Sequence, residues 1–153
     1  MTLERVDTQQ PIDRLPPNNP EAEEAVLGSL LMDPAAVGKI SAFLRKEDFY
    51  RERNGVIFEA ALAVYERHDP VDFVSVTDEL KRQSRYDEVG GLVYLSHLIG
   101  VVPTAVHVEH YAHIVERTAV KRRLITAAGK IVGVAYDETL DMDTTLEKAE
   151  QLL

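Results

Sequence analysis

From Val106 to Tyr136 the chain holds no proline, and only Gly129 and Gly133 interrupt a helical spacing of apolar residues. Tyr111, Ile114, Thr118, Ile125, Ala128, Val132 and Ala135 recur at threes and fours, the period of one helix face. A helix of that span reaches about 45 Å at a rise of 1.5 Å per residue, longer than the core of a small domain needs. Such a rod has to protrude. Asp137-Glu138-Thr139-Leu140-Asp141 turns the chain, and Thr144 with Glu147 fits a capping box for a last helix carrying Leu146, Ala149 and Leu153. The spacing predicts a helical hairpin over residues 104–153.

Upstream, shorter helices follow one another. Leu15-Pro16-Pro17 stiffens the approach to Asn19, a good N-cap, and Pro20 occupies the first helical position, where its missing N–H costs nothing. Glu21, Glu23 and Glu24 crowd the positive end of that helix, and Ala22, Ala25, Val26, Leu30 and Leu31 form its inward stripe. Asp33-Pro34 repeats the cap-then-proline pattern. Val56, Ile57, Ala60, Ala61, Val64 and Tyr65 mark a helix over about residues 51–67, and Asp72 caps another carrying Phe73, Val76 and Leu80. Residues 71–76 alternate like a strand, but their brevity and the cap favour helix. After Gly90-Gly91, Leu92, Tyr94, Leu95, Leu98 and Ile99 make an amphipathic segment, and Thr104 is a cap candidate beyond the Val102-Pro103 turn. The fold class expected is all-α: a tail over residues 1–14, a compact head over 15–103, then the protruding hairpin.

Composition bounds the function. With 153 residues and 45% hydrophobic content the chain can bury one core, and no apolar run approaches a membrane span. No cysteine is present, which removes disulfides, thiolate nucleophiles and thiolate metal sites. A soluble, cytoplasmic protein is expected. The formal charge of −9 opposes whole-surface attraction to nucleic acid. That charge is uneven: residues 101–136 hold five basic and two acidic side chains, whereas 137–153 hold six acidic and one basic. Two neighbouring helices with complementary faces would use this asymmetry; two merely solvated faces would not.

Chemistry is scarce. The sequence has no phosphate loop, no nucleophile elbow and no His-Glu-x-x-His zinc motif. His107, His110 and His113 stand three apart, a spacing that rotates each by about 60° and prevents all three from meeting on one ion. Glu23, Glu24, Asp87 and Glu88 have no partnered His or Lys motif and read as surface carboxylates. Arg117, Lys121, Arg122 and Arg123 could touch phosphate but lack interleaved aromatic platforms. A two-helix hairpin cannot cover its own apolar stripe, so self-association is the economical way to bury it. The alternatives are a hairpin folded back on the head, or a stand-alone helical nucleic-acid-binding or regulatory adaptor module.

In order and spacing, several blocks resemble the N-terminal domain of the bacterial replicative DNA helicase, the DnaB type. They are Leu15-Pro16-Pro17 with Glu21-Ala22-Glu23 and Val26-Leu27-Gly28; Asp48-Phe49-Tyr50; Ile57-Phe58; Pro70-Val71-Asp72; Val89-Gly90-Gly91 with Tyr94-Leu95; Pro103-Thr104; and Tyr111-Ala112 through Arg122 to Ile125. Asn54-Gly55 departs from the family, which commonly has a His after Phe-Tyr, so a local cap or surface contact is expected to differ. The resemblance implies a head-plus-hairpin domain that dimerises and assembles as a trimer of dimers in a hexamer, and that receives the C-terminal domain of a DnaG-type primase. It implies that ATP, Mg and most DNA contact belong to a C-terminal motor domain, with the present chain, which stops at Leu152-Leu153, ending before it. By position, Tyr94, Ile125 and Ile131, with Glu21 and Glu88, are the primase-facing candidates. Tyr111, Ile114, Thr118, Arg122, Val132, Leu146 and Leu153 are the self-association candidates. No catalytic, cofactor or metal residue is expected in this segment.

Overall fold

In the computed structural model, which describes residues 15–153, every regular element is helical. The expected tail over residues 1–14 lies outside the described residues. In chain order the elements are α1 (Pro20–Met32), α2 (Ala36–Ile40), a 3₁₀ turn (Lys46–Asp48), α3 (Glu52–Glu66), α4 (Phe73–Arg82), α5 (Gly91–Val101), α6 (Val108–Tyr136) and α7 (Met142–Gln151). Asn19 caps α1 by accepting from the Ala22 N–H at 3.0 Å. At α4 the Asp72 side chain accepts from the Ser75 N–H at 2.9 Å while the Ser75 hydroxyl accepts from the Asp72 N–H. The alternating residues 71–76 are therefore a helix start, not a strand.

Around α1 the head is wrapped. All five residues of the expected stripe are buried, and so are Glu23, Leu27, Gly28 and Ser29, so α1 is enclosed on nearly every side by α2, α3, α4, α5 and α6. Gly28 permits the tightest of these crossings: a Cβ there would lie 2.2 Å from the Leu98 carbonyl oxygen of α5. α3 and α5 turn Ile57, Phe58, Val64, Leu95 and Leu98 into the same core. Leu92, expected inward, is exposed, as is part of Tyr65.

One expectation about a polar residue is corrected. Glu23 is a buried residue at 2% exposure, not a surface carboxylate. Its Oε2 accepts from the Tyr50 N–H at 2.8 Å, and its Oε1 accepts from Asn54 Nδ2 at 3.0 Å and the Arg51 N–H at 3.4 Å. Arg51 is the N-cap of α3 and has no side-chain cap of its own, so the carboxylate of α1 supplies the missing acceptor and a favourable charge at that helix's positive end. Asn54 is fully buried, and its Oδ1 accepts from the Tyr94 hydroxyl. Burial pushes the Tyr94 phenol above its ordinary value, against the opposing pull of Arg53, whose guanidinium lies 3.7 Å above the ring centre.

A second buried carboxylate, Glu79 of α4, is gripped by Arg67 at 2.9 Å, Gln83 at 2.8 Å and Arg82 at 3.3 Å. Burial raises its carboxyl, but the hydrogen bonds from Gln83 and Arg67 and the charges of Arg67 and Arg82 outweigh that and hold it below its ordinary 4.5.

The long helix forms, at 29 residues and about 43 Å, but in two different environments. Its core-facing ridge is Val108, Ala112, Val115 and Ala119, which pack against the head; beyond Ala119 no residue of α6 is buried. The expected stripe through Tyr111, Ile114, Thr118, Ile125 and Val132 is a different face, half-buried at first and exposed from Ile125 on. The head expected to close at residue 103 thus draws in the first part of α6. Two caps also differ. α6 starts at Val108 behind His107, while Thr104 only accepts from the Val106 N–H. α7 is capped by Asp141, which accepts from the Thr144 N–H at 2.7 Å, so Thr144 lies inside the helix.

Glu23→Ala is expected to lower the unfolding free energy in urea by about 2–4 kcal/mol, because two backbone N–H groups and Asn54 lose a charged acceptor. For Glu79, the folded carboxyl binds its proton more weakly than the unfolded one. Its contribution is complete above the unfolded value and is lost as pH falls through the lower folded value. In acid titrations followed by circular dichroism, Glu79→Gln should flatten the fall in stability below about pH 4.5.

Candidate functional site

Past Ala119, α6 leaves the head and α7 returns along it. α7 buries no residue fully, and the pair exposes Val120, Leu124, Ile125, Val132, Tyr136, Met142, Leu146 and Leu153. Leu124 is 61% exposed and Tyr136 82%. This concentration on one protrusion far exceeds the scattered apolar residues that any soluble surface shows.

Two apolar faces are distinguishable. Ile131, Leu153, Val120, Leu124, Ala127, Ala128, Arg123 and Leu152 line a groove of about 380 Å³ between α6 and the end of α7. At 100° per residue, Ile125, Val132 and Tyr136 fall on another side of α6, continuing the line of Tyr111, Ile114 and Thr118. Tyr111 and Ile114 meet Glu21, Asn19, Ala22, Ala25, Val101 and Val102 in a second groove of about 340 Å³ on the head. The fold therefore brings Glu21 together with Tyr111 and Ile114, and Ile131 together with Leu153. Ile125, Val132 and Leu146 stand open to solvent.

Other candidates are placed differently. Tyr94 is buried, its hydroxyl spent on Asn54 and its ring covered by Arg53, so it faces the core. Glu88 lies in the turn before α5, forked by Arg85 at 2.9 and 3.0 Å, and that fork holds its carboxyl below the ordinary value. The Thr118 hydroxyl donates to the Ile114 carbonyl at 2.7 Å. Arg122 donates to the Pro17 carbonyl at 2.9 Å and the Asp48 carbonyl at 2.7 Å, and Arg123 pairs with the Asp48 carboxylate. Two of the five basic residues of this segment are thereby committed to the chain's own oxygens, and no ion pair joins α6 to α7 among the described residues. His113 stacks on Phe43 at 4.3 Å and His110 lies edge-on to Tyr111. Among the described residues no cluster could hold a metal ion, and no helix is long and apolar enough to cross a membrane.

Sequence reasoning missed Val120, Leu124, Tyr136 and Met142. The signal was present for the first two: Val120, Leu124 and Ile131 repeat at four and seven, a second stripe beside the first. The Arg122 and Arg123 contacts had no local signal, since their acceptors lie 74 to 105 residues earlier.

A model of the DnaB-like helicase N terminal domain family matches residues 15–117. The replicative DNA helicase DnaB of Geobacillus stearothermophilus is 46% identical over 139 residues, which is 91% of this chain and 31% of that protein. The chain thus spans about a third of that relative's length. Among solved structures, the N-terminal domain of the Mycobacterium tuberculosis DnaB helicase superposes with a TM-score of 0.85 at 36% identity, covering 90% of this chain and 97% of the other. The N-terminal domain of the Helicobacter pylori DnaB helicase, described with its interactions with primase, shares the fold at a TM-score of 0.65 and 22% identity, covering 76% and 90%.

Because Ile125 and Val132 support nothing beneath them, Ile125→Asp and Val132→Asp should leave helicity unchanged and shift unfolding of the head by no more than about 0.5 kcal/mol. Circular dichroism with urea titration checks this.

Proposed function

The chain belongs to the family of DnaB-like helicase N-terminal domains, and from that premise we propose that it is the assembly and primase-docking domain of a hexameric replicative helicase. Two copies meet along the exposed strip of α6 and α7, with Ile125, Val132 and Leu146 at its centre and Leu153 at its edge, on the groove side. Tyr111, Ile114 and Thr118 carry the strip onto the head. Dimers then assemble by threes into a collar. The C-terminal domain of a DnaG-type primase docks beside this surface, using the groove of Ile131, with Glu21 and Glu88 at the periphery. ATP, Mg and DNA unwinding belong to a motor domain elsewhere in the full protein, which works in the cytoplasm at the replication fork.

One observation carries this reading: an arm about 25 Å long, α6 beyond Ala119 with α7 along it, that buries no residue and exposes Leu124, Ile125, Val132, Tyr136, Met142 and Leu146. Burying such a strip against a copy of itself satisfies both chains with one contact, the usual logic of a two-fold interface. A nucleic-acid-binding module fits less well, since Arg122 and Arg123 are occupied and the chain carries −9 overall.

Sedimentation of the chain over a concentration series should give dimers or higher species. Val132→Asp should weaken that association about thirtyfold, as loss of a central anchor of about 2 kcal/mol implies. Titration with the primase C-terminal domain should saturate, and Ile131→Asp should weaken it. Strictly monomeric behaviour at all concentrations, or no primase binding, would remove the corresponding half of the proposal.

A further inference from the structure

The head holds the first turns of α6 through the buried ridge of Val108, Ala112, Val115 and Ala119, flanked by Tyr111, Ile114 and the His113 ring stacked on Phe43. None of these lies beyond Ala119, and no later residue of α6 is buried. The direction in which the outer half leaves therefore depends on what holds the next turn. Arg122 and Arg123 project about 100° apart, so they straddle the continuation of the ridge. Both reach the same residue from the two sides: Arg122 donates to the Asp48 carbonyl at 2.7 Å, and Arg123 pairs with the Asp48 carboxylate. Arg122 also holds the Pro17 carbonyl at 2.9 Å, and its guanidinium lies 5.4 Å from the centre of the Tyr50 ring. Asp48 is a firm anchor, being 1% exposed and accepting from the Arg45 N–H at 2.9 Å through its second oxygen.

We infer that Arg122, with Arg123, is a positioning residue: the two arginines form a yoke on Asp48 that sets the roll and tilt at which the outer half of α6 leaves the head. The yoke thereby aims the strip of Ile125, Val132 and Tyr136 at the second copy. This rests on the self-association proposed above but assigns Arg122 a place behind the contact instead of within it. A tilt of about 20°, the ordinary scatter of helix crossings, moves the end of a rod of about 25 Å by roughly 9 Å. A hairpin free over that range associates more weakly, because the freedom has to be given up on binding.

The chain has no cysteine, so spin labels go only where they are placed. Asp78→Cys on the head and Glu138→Cys at the hairpin tip, both exposed, give one intramolecular distance when labelled chains are diluted into an excess of unlabelled chain. The parent should show a single narrow distribution. Arg122→Ala should widen or displace it by several ångströms, and association in sedimentation should fall roughly three- to tenfold, with the head still folded. Arg122→Lys, which keeps the charge but loses the planar fork whose two nitrogens reach the two carbonyls, should give an intermediate width, and it carries the test should Arg122→Ala fail to fold. A folded variant whose distribution superimposes on the parent's overturns the inference. A parent that never associates removes the self-association reading instead, and the distance measurement still decides what the yoke does.

Discussion

The Glu23 carboxylate is the interaction on which the head depends. It sits inside the protein because α1 is enclosed on nearly all sides, and it is tolerable there because α3 arrives with an uncapped positive end. Three donors from residues 50, 51 and 54 converge on its two oxygens, and Asn54 passes the network on to the Tyr94 hydroxyl of α5. One carboxylate thus fixes the mutual placement of α1, α3 and α5. Hydrophobic packing would allow these helices to slide by a fraction of a turn; a set of directional bonds to a buried charge does not.

From that fixed centre the molecule changes character along a single helix. The first part of α6 completes the core, whereas the outer part buries no residue and carries apolar residues on two sides. Nothing in the backbone marks the transition: the helix runs on without a break. The change is one of surroundings, and the arginine contacts to Asp48 and Pro17 stand where it occurs. The contrast between a satisfied head and an unsatisfied arm is what would give the proposed assembly its direction.

The helices themselves were legible because local rules govern them. Asn19 and Asp72 act as caps where the residue pattern places them, and the proline-free stretch becomes one long helix. Misreadings arose where two local rules compete or where a partner is distant. Asp141 and Thr144 are both good caps three residues apart, and only the turn geometry chooses between them. On α6, the ridge through Val108, Ala112, Val115 and Ala119 and the stripe through Tyr111, Ile114 and Thr118 have the same period; which one meets the head depends on the shape of the space beside α1. Glu23 looked like a surface carboxylate because its donors come from a loop 27 residues on. The apolar arm was visible as a pattern, but its division into two faces required knowing where α7 lies.

The absence of any fully buried residue in α7 has a consequence for how the molecule opens. Its backbone hydrogen bonds are sheltered by little besides one flank of α6, so amide protons from residue 142 onward should exchange with solvent through fraying. Those of α1 and α3 exchange only when the head unfolds as a whole. Proteases will find the same order, cutting at the turn around Glu138 long before the core. Any partner that lies along the arm therefore does more than hold two bodies together: it shields a helix that the single chain leaves open to solvent.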